Sequence, residues 1–408
     1  SSPVRILQLC KKFPFPARDG ESIAILQMSK ALSESGCEVS LLAMNTSRHY
    51  VDIAKDSLSE LKYFKSIQTV DIDNAINWVD ALKNIFSKDS YHISRFISDE
   101  FASTLENLLQ REEFDIIQLE TLYLAPFLPV IRRHSKALIV LRAHNIEHEI
   151  WQRIATQVKF LPKKWYLHYL SRKLKNFEVN TLNDYDFLVA ITERDLVHFK
   201  SLGYKNGCFA SPVGFDLSRY EAEYSAFQRP MALSFIGSLD WMPNIEALRW
   251  FLNEVWPTLH RKFPELEFHF AGRNAPPDLS ALQMEAVFYH SDVLDARRFL
   301  LQYPILVVPL LAGSGIRVKI LEAMALGRVV VTTSIGLEGI PARHKEQVFI
   351  ANSTADFIES IQHCYDHYGR LSKIGENARS FVTQHFDSSK LAGKLVHAYK
   401  KALHSHGH

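Results

Sequence analysis

The chain has 408 residues, 47% of them hydrophobic and 23% charged, with a formal net charge of +2. This length exceeds one typical hydrophobic core, so we expect two domains, and the charge balance excludes a general nucleic-acid binder. The four cysteines lack the spacing of a disulfide framework or a zinc site. The longest apolar runs reach about ten residues, short of the ~20 of a spanning helix, so we expect a cytoplasmic protein.

The first half of the chain has the pattern of a Rossmann-like domain. Strands are predicted, in chain order, at 4–10, 38–43, 115–119, 137–141 and 187–190. The spacing of apolar residues predicts a helix over 22–35, after a loop at 11–20, and another helix over 165–182. Strands and helices that alternate with short connections predict a parallel, doubly wound sheet.

A segment rich in proline and glycine at 211–216 marks a domain boundary. We therefore expect a first domain at 1–210 and a second at 217–384, with a terminal helix at about 385–408 that packs back on the first domain. The alternation restarts after the boundary, with strands at 231–236, 266–271, 286–289, 305–310 and 328–333 and helices at 244–257, 295–302 and 316–326. Two such domains predict a cleft between the carboxyl ends of two sheets, where α/β proteins bind ligands.

The glycine turn at 313–315, between an apolar strand and a helix, is the motif that says most about function. Such a turn directs backbone N–H groups and the positive end of a helix toward an anion, usually a phosphate. Arg317 and Lys319 lie in the first helical turn, where they oppose the helix dipole, and a bound diphosphate would explain them. Glu322 can accept hydrogen bonds from ribose hydroxyls; the alternative is a solvent-facing helix glutamate.

The segment 313–327 resembles the donor-binding motif of retaining, family-4 glycosyltransferases with the GT-B fold, Glu-Gly-Phe-Gly-x-x-x-x-Glu-Ala-Met-Ala-x-Gly. Gly315 matches the first glycine of that motif, and 322–327 (Glu-Ala-Met-Ala-Leu-Gly) matches its end. Ser314 replaces the glutamate that helps to position the donor sugar, and Arg317 replaces the second glycine. The resemblance covers most of the chain. It implies a bacterial enzyme of two Rossmann-like domains that face each other across a cleft.

The resemblance also assigns donor-binding residues outside this motif. Gly237 and Ser238 stand where the family usually has Gly-Arg-Leu, followed by a Lys-Gly pair, and both cations of that pattern are missing here. We infer that Arg317 and Lys319 replace them, since fixed cations stabilise a departing diphosphate. Arg273 is a weaker candidate for the same task.

Backbone groups and loop residues complete the predicted donor site. The backbone of Ser314, Gly315 and Ile316 is expected to meet the phosphates. Gly20 lies in a loop that resembles the glycine-rich loop of the family and would let the backbone approach the ligand closely.

His144 follows the strand at 137–141 and matches a family histidine that contacts hydroxyls of the donor sugar. His148, four residues later with Glu147 before it, also suggests a metal site, but the zinc-protease pattern is absent. GT-B enzymes generally need no bound metal, so we expect neither a metal nor another cofactor. A capping histidine remains a third interpretation, and Glu120, after the strand at 115–119, is a weaker candidate for the same cleft.

The basic and aromatic stretch at 163–175 allows two interpretations. It could rest on an anionic membrane surface, where a lipid-linked acceptor would lie, or it could be an ordinary amphipathic helix, which we prefer slightly. Peripheral contact with the inner face of the membrane is therefore an alternative to a purely cytoplasmic location.

The sequence predicts a glycosyltransferase that moves a sugar from a nucleotide-diphosphate sugar to a hydroxyl of a glycan or lipid-linked acceptor, with retention of configuration. One alternative is a sugar-nucleotide epimerase on the same fold, and another is a non-catalytic protein that binds nucleotide sugars. An NAD-dependent enzyme ranks low, because the loop after the first strand lacks the GxGxxG pattern.

Overall fold

The computed structural model describes residues 2–17, 20–53, 58–85, 87–312 and 317–407. The chain divides into two compact units, the first formed by Ser1–Gly214 with Ser388–His408 and the second by Phe215–Asp387. Each unit has its own sheet and its own hydrophobic core. In the described part of the chain, no helix is both long and apolar enough to cross a membrane.

The strands of the first unit form a parallel sheet. They are β1 (Arg5–Cys10), β2 (Glu38–Thr46), β3 (Ser66–Ile72), β4 (Ile116–Leu119), β5 (Leu138–Ala143), β6 (Phe187–Ala190) and β7 (Gly207–Ala210). Within the described ranges their order is β3-β2-β1-β4-β5-β6-β7. The chain therefore runs outward from β1 and then restarts beside it at β4. This reversal between β1 and β4 is the point where open α/β sheets bind ligands.

Helices cover both faces of this sheet, which is why the central strands are apolar throughout. The helices are α1 (Gly20–Glu34), α2 (Trp78–Asn84), α3 (Tyr91–Ser94), α4 (Asp99–Arg111), α5 (Leu128–His134), α6 (Glu147–Gln157), α7 (Leu161–Thr181) and α8 (Glu193–Ser201). The start of α4 illustrates the local rules: the Ser98 side chain accepts a hydrogen bond from the backbone N–H of Phe101 at 3.1 Å. This cap satisfies one of the free donors at the helix start.

The second unit repeats the same plan. Its strands are β8 (Ala232–Ile236), β9 (Glu267–Ala271), β10 (Val287–His290), β11 (Ile305–Val308), β12 (Val329–Thr332) and β13 (Phe349–Ile350). Their order in the described chain is β10-β9-β8-β11-β12-β13, and each neighbouring pair is parallel. The direction of winding reverses between β8 and β11, so the predicted ligand-binding edge lies at the carboxyl ends of those two strands.

The helices of the second unit include one irregular member. They are α9 (Met242–Trp250), α10 (Trp256–Lys262), α11 (Pro277–Ser280), α12 (Ala296–Leu301), α13 (Val318–Ala325), α14 (Thr354–Asp366) and α15 (Ser372–Phe386). A π-helical turn at Phe251–Val255 joins α9 to α10. Pro257, at the start of α10, has no N–H to continue the regular ladder. The single helix predicted at 244–257 is therefore a longer, interrupted one.

The last helix, α16 (Ser388–Ser405), returns to the first unit. Leu395 and Tyr399 of this helix are fully buried in the cluster that contains Ile6 of β1 and Ile25 and Met28 of α1. The carboxyl end of the chain thus forms part of the core that supports β1.

Candidate active site

The predicted phosphate-binding segment follows β11 in the second unit. Ser314, Gly315 and Ile316 lie outside the described residues, so their assignment to the donor remains a prediction. Arg317 occupies the N-cap position of α13, and the helix begins at Val318 rather than at 316. The apolar residues of α13 explain its position, since Ile320, Ala323 and Met324 are fully buried.

The carboxyl end of α13 is held by a cation and by a glycine. Arg379 of α15 donates from Nη1 to the carbonyl of Ala325 at 2.8 Å, where a positive charge complements the helix dipole. Gly327 ends the helix with a φ of 77°, a left-handed conformation that favours glycine. These contacts fix the axis of α13 and hence the direction of its amino end.

The two predicted catalytic cations lie close to the start of α13, but in different surroundings. The Arg317 side chain is about half-buried, and burial lowers the pKa of its guanidinium while the Glu338 carboxylate raises it. Lys319 is more open: its side chain is 42% exposed, and its Nζ lies 3.6 Å from Oε2 of Glu322. Glu322, predicted to bind a ribose, therefore also forms an ion pair with Lys319.

The other predicted donor-binding residues of the second unit lie together on two loops. The backbone N–H of Gly237 donates to the carbonyl of Ala271 at 3.1 Å, and that of Leu239 donates to the carbonyl of Arg273 at 2.9 Å. These bonds tie the loop after β8 to the loop after β9. Ser238 and Arg273 are exposed on these loops.

Gly237 also has a steric reason to be glycine. A Cβ atom at this position would lie 2.8 Å from Nδ2 of Asn244, which donates to the carbonyl of Ser238 at 2.9 Å. Because β9, β8 and β11 are neighbours in a parallel sheet, their loops and the start of α13 share one edge. The second unit thus brings Gly237, Ser238 and Arg273 to the edge that also carries the two cations.

In the first unit, the predicted residues follow β1 and β5. Gly20 is the first residue of α1, at the end of the loop that leaves β1. His144 comes directly after β5, and its Nε2 lies 3.0 Å from Oε2 of Glu120, which follows β4. The structure therefore places His144 beside the point where the winding of this sheet reverses.

Glu120 is buried and therefore does not reach the protein surface as a direct ligand. Its side chain is fully buried, and Arg142 approaches the same Oε2 atom with Nη1 at 3.4 Å. The other oxygen, Oε1, accepts hydrogen bonds from the Nε2 atoms of Gln8 (2.9 Å) and Gln118 (2.5 Å). Burial alone would raise the pKa of the Glu120 carboxyl, but the Arg142 charge and the hydrogen bond with His144 outweigh burial and lower it.

An ionised Glu120 decides how His144 is oriented. A carboxylate only accepts hydrogen bonds, so Nε2 of His144 must carry the proton that it donates. The Nδ1 side of the ring is then left for other contacts. Glu120 thus acts as a positioning residue that fixes the histidine tautomer, as outer-shell carboxylates do elsewhere.

The support of Glu120 extends to the last helix of the chain. The hydroxyl of Tyr399, on α16, donates to Oε1 of Gln118. Ser29 of α1 donates to Oε1 of Gln8 at 2.6 Å. We call the connected set the glutamate network, whose members are Gln8, Ser29, Gln118, Glu120, Arg142, His144 and Tyr399.

The sequence analysis singled out only Glu120 and His144 from this network. A signal was nevertheless present, because Gln8 and Gln118 interrupt otherwise apolar strands that are buried on both faces. Polar side chains in such strands need hydrogen-bond partners. Nothing in the local sequence indicates that Tyr399 supplies one of them.

The two histidines of the 144–148 segment do not converge. His148 is buried, and its Nδ1 lies 2.5 Å from Oε1 of Glu178 on α7, whereas His144 faces Glu120. Within the described part of the chain, no three histidine, cysteine or acidic side chains are grouped as metal ligands would be. His148 therefore has a structural role between α6 and α7.

Known proteins resemble this chain in sequence and in fold. Residues 230–367 match the family model Glyco_trans_1_4, described as glycosyl transferases group 1. A Klebsiella pneumoniae protein described as an "uncharacterized 44.6 kDa protein in cps region" is 25% identical over 415 residues, which cover 96% of this chain and 98% of that protein.

Two solved structures resemble the chain over nearly its whole length. They are sucrose-phosphate synthase from Thermosynechococcus elongatus and HepE from Anabaena in complex with UDP. Each has a TM-score of 0.66 and 14% identity, and each comparison covers 98% of this chain and all of the other. Two parallel α/β units and these neighbours confirm the predicted GT-B fold.

The family match falls on the unit that carries Arg317, Lys319 and Glu322. The family match supports the class of protein predicted from the sequence, a glycosyltransferase, on the GT-B fold that the structural neighbours share. Residues 230–367 are the part of the chain that is similar to group 1 glycosyl transferases.

Proposed function

We propose that the enzyme transfers a sugar from a nucleotide-diphosphate sugar to a hydroxyl of a glycan or lipid-linked acceptor, with retention of configuration. The observation that carries this proposal is the pair Arg317 and Lys319 at the amino end of α13, beside the reversal point of the second sheet. A diphosphate bound there would meet two cations and the positive end of the helix. The HepE structures with UDP and with UDP-glucose support UDP-sugars as the first donors to test.

Each second-unit residue then has a chemical task. Arg317 and Lys319 stabilise the negative charge that develops as the diphosphate leaves. Glu322 holds Lys319 at 3.6 Å and has a second oxygen that can accept a hydrogen bond from a ribose hydroxyl. Gly237, Ser238 and Arg273, on the neighbouring loops, complete the donor site.

Retention follows from attack on the face of the sugar that the leaving group occupies. The bond between the anomeric carbon and the diphosphate oxygen breaks, and the acceptor hydroxyl forms a new bond on the same face. An oxygen of the departing phosphate takes the hydroxyl proton, so no protein base is needed. His144, held by Glu120, contacts hydroxyls of the donor sugar and orients it.

We further propose that the enzyme works in the cytoplasm, in peripheral contact with the inner face of the membrane, in polysaccharide biosynthesis. The relative described from a cps region supports this pathway class. The first unit exposes large apolar side chains on α2 and near the start of α7, among them Trp78, Phe160 and Trp165. Lys163 and Lys164 lie between Phe160 and Trp165 in sequence. Aromatic and basic side chains together suit an anionic lipid surface.

The donor role of the two cations is tested by measuring UDP affinity by calorimetry. Lys319→Ala should weaken UDP binding roughly 10- to 100-fold, since a charge-assisted contact contributes about 1.5–3 kcal/mol. Lys373→Ala is the matched control, because Lys373 forms the same i,i+3 pair with Glu376, at 3.5 Å, away from the site. Equal affinity of both variants for UDP, and for the other nucleoside diphosphates, would contradict the proposal.

Turnover is tested with a panel of nucleotide sugars in the presence and absence of acceptors. Arg317→Ala should lower the rate of transfer, whereas Arg343→Ala, which removes an exposed arginine of the same unit, should not. Conversion of the donor sugar to its epimer without any acceptor would instead identify an epimerase. NMR of the product would show whether the anomeric configuration is retained.

A further inference from the structure

The first unit contains a basic pocket that the proposed chemistry does not use. It has a volume of about 200 Å³ and lies where β1, β2 and β3 end. Lys11 directly follows β1, Arg48 follows β2, and Asn74 follows β3; all three line the pocket. Because these strands are parallel neighbours, their carboxyl ends meet at the edge where such sheets bind ligands.

The lining of the basic pocket is strongly positive. Four lysine and arginine side chains line it (Lys11, Lys12, Arg48 and Arg95), and no aspartate or glutamate is among its described lining residues. Lys11 has a carboxylate nearby, since its Nζ lies 3.7 Å from Oε2 of Glu21. A second carboxyl lies behind the aromatic part of the lining, where Tyr123 donates to Oε2 of Glu147 at 3.2 Å. Among the described lining residues themselves, all the formal charges are positive.

Arg95 is one of the cations that line the basic pocket, and its side chain is partly buried. Its Nε and Nη2 atoms donate to the carbonyl oxygen of Asn74, at 3.1 and 2.6 Å, rather than to a carboxylate. Burial lowers the pKa of the guanidinium, and the Arg48 charge lowers it further. Cations that face one another across a confined space are disfavoured unless an anion lies between them.

His92 is an independent sign that the basic pocket takes a ligand. The side chain lines the pocket and is 6% exposed, and among the described residues its Nε2 has no hydrogen-bond partner. Its ring stacks on Trp151 with the centroids 4.0 Å apart, which fixes its direction. Burial lowers the pKa of His92 to about 4, helped by Arg95, so the ring is neutral at pH 7 and can present an N–H to an oxygen.

Aromatic rings, including those of Phe96, Tyr123 and Trp151, form another part of the lining. Lys11 lies over the ring of Tyr123, 4.6 Å from its centroid, and the indole N–H of Trp151 donates to the Tyr123 hydroxyl at 3.1 Å. The pocket therefore offers aromatic faces as well as cations. Outside the lining, the exposed Trp78 at the start of α2 follows Asn74 by four residues.

We propose that the basic pocket binds a phosphate group of the acceptor, so that the acceptor substrate is a phosphorylated sugar or a diphosphate-linked one. The inference rests on the proposed function, which assigns the donor diphosphate to α13 in the other unit. A phosphate suits the pocket better than a carboxylate does, because its oxygens can reach cations on several different segments. The shared chemistry is the phosphate oxyanion, whether it belongs to a soluble sugar phosphate or to a lipid-linked diphosphate.

The first experiment measures binding of inorganic phosphate and pyrophosphate by calorimetry at constant ionic strength. The full-length protein is saturated with UDP, so that the donor site is closed to both probes. Arg48→Ala should weaken pyrophosphate binding at least tenfold, and His92→Gln should weaken it less. Arg133→Ala, which removes an exposed arginine elsewhere in the same unit, should leave it unchanged.

The outcomes for donor and acceptor are separable. If neither UDP nor any other nucleoside diphosphate binds the wild-type protein, the proposed function fails, whatever the pyrophosphate result. If UDP binds normally to every variant but pyrophosphate binds Arg48→Ala and wild type equally, the acceptor inference is overturned and the donor assignment stands.

The second experiment identifies the source of the phosphate once a donor is known. Initial rates are compared for a sugar 1-phosphate, the same sugar without phosphate, and a polyprenyl-diphosphate sugar in vesicles. Arg48→Ala should raise KM at least tenfold for the phosphorylated acceptors only. Activity with the soluble compound identifies a free sugar phosphate, and activity with vesicles alone identifies the lipid-linked form. An equal effect of Arg48→Ala on the unphosphorylated sugar would refute the inference.

Discussion

The buried ion pair between Glu120 and Arg142 allows a quantitative test of how the first unit is held together. Both side chains are fully buried, with Nη1 of Arg142 3.4 Å from Oε2 of Glu120. The guanidinium has one other acceptor nearby, the carbonyl of Ala24 at 3.2 Å from Nη1. In the described part of the chain, its Nε and Nη2 have no hydrogen-bond partner. Glu120→Gln would therefore leave a buried charge almost uncompensated.

The size of the expected stability loss depends on the burial of the ion pair rather than on its N···O distance. Removing one partner of a buried pair costs about 3–5 kcal/mol, which for a unit of this size lowers Tm by roughly 6–20 °C. The matched control is Glu38→Gln, because Glu38 and Lys65 have the same N···O separation of 3.4 Å but side chains 40% and 55% exposed. An exposed pair of this kind contributes about 0–1 kcal/mol.

The assay is urea unfolding at pH 7, followed by circular dichroism, on wild type and both variants. A second substitution, Arg142→Met, made together with Glu120→Gln, should recover part of the loss because it removes the unpaired charge. The pKa of the Glu120 carboxyl is lowered in the folded state. Its contribution to the free energy of unfolding is therefore fully present above the ordinary carboxyl pKa and is lost as pH falls through the pKa of the folded state. Equal costs for Glu120→Gln and Glu38→Gln would refute the reasoning.

Three further predictions concern other parts of the chain. Tyr399→Phe removes the hydroxyl that supports the glutamate network, so we expect a loss of about 1–3 kcal/mol and a lower kcat at unchanged donor KM. Tyr204→Phe, which also loses a buried hydroxyl bond, should affect stability without affecting kcat. Burial raises the pKa of the Glu147 carboxyl from 4.5 to about 7 in the folded protein. The contribution of Glu147 to the free energy of unfolding should therefore fall as pH rises through that window, by at most roughly 3 kcal/mol. Urea titrations of wild type and Glu147→Gln at pH 5 and 7.5 should therefore diverge, and parallel results would contradict the shift. Gly327→Ala forces a left-handed φ of 77° on a residue with a Cβ, so thermal melts should show a loss of about 1–2 kcal/mol or more. Gly369→Ala, where the added atom meets nothing within 4 Å, should cost little.

Strands in the middle of each sheet could be predicted from the sequence, whereas of the edge strands in the described chain only β10 was predicted, and β3, β7 and β13 were not. The segments that form β4, β5, β11 and β12 are mainly apolar and fully buried, because helices cover both faces of a parallel sheet. At the edge of the first sheet, β3 (Ser-Ile-Gln-Thr-Val-Asp-Ile) is partly exposed and mixes polar with apolar residues. Its pattern does not stand out from that of a loop.

Residues of the candidate site that are close in sequence could be predicted together, whereas contacts between residues far apart in sequence could not. Arg317, Lys319 and Glu322 lie within six residues, so a motif shows them together. The bond from Tyr399 to Gln118 joins residues 281 positions apart, and the basic pocket takes its cations from three separate segments. No spacing rule connects such residues until the sheet order is known.

The sheet order also places the two proposed ligand sites, because both units share one plan. In each sheet the winding reverses beside its first strand, and polar residues gather where the strands on either side of that point end. In the second unit, a helix start with two cations occupies this edge, and such a start binds the phosphates of any nucleotide sugar. In the first unit, the same edge carries the glutamate network behind a histidine and, beyond it, the basic pocket. On the acceptor role proposed for this pocket, selection between acceptors would reside in Arg48 and His92, which no donor motif includes.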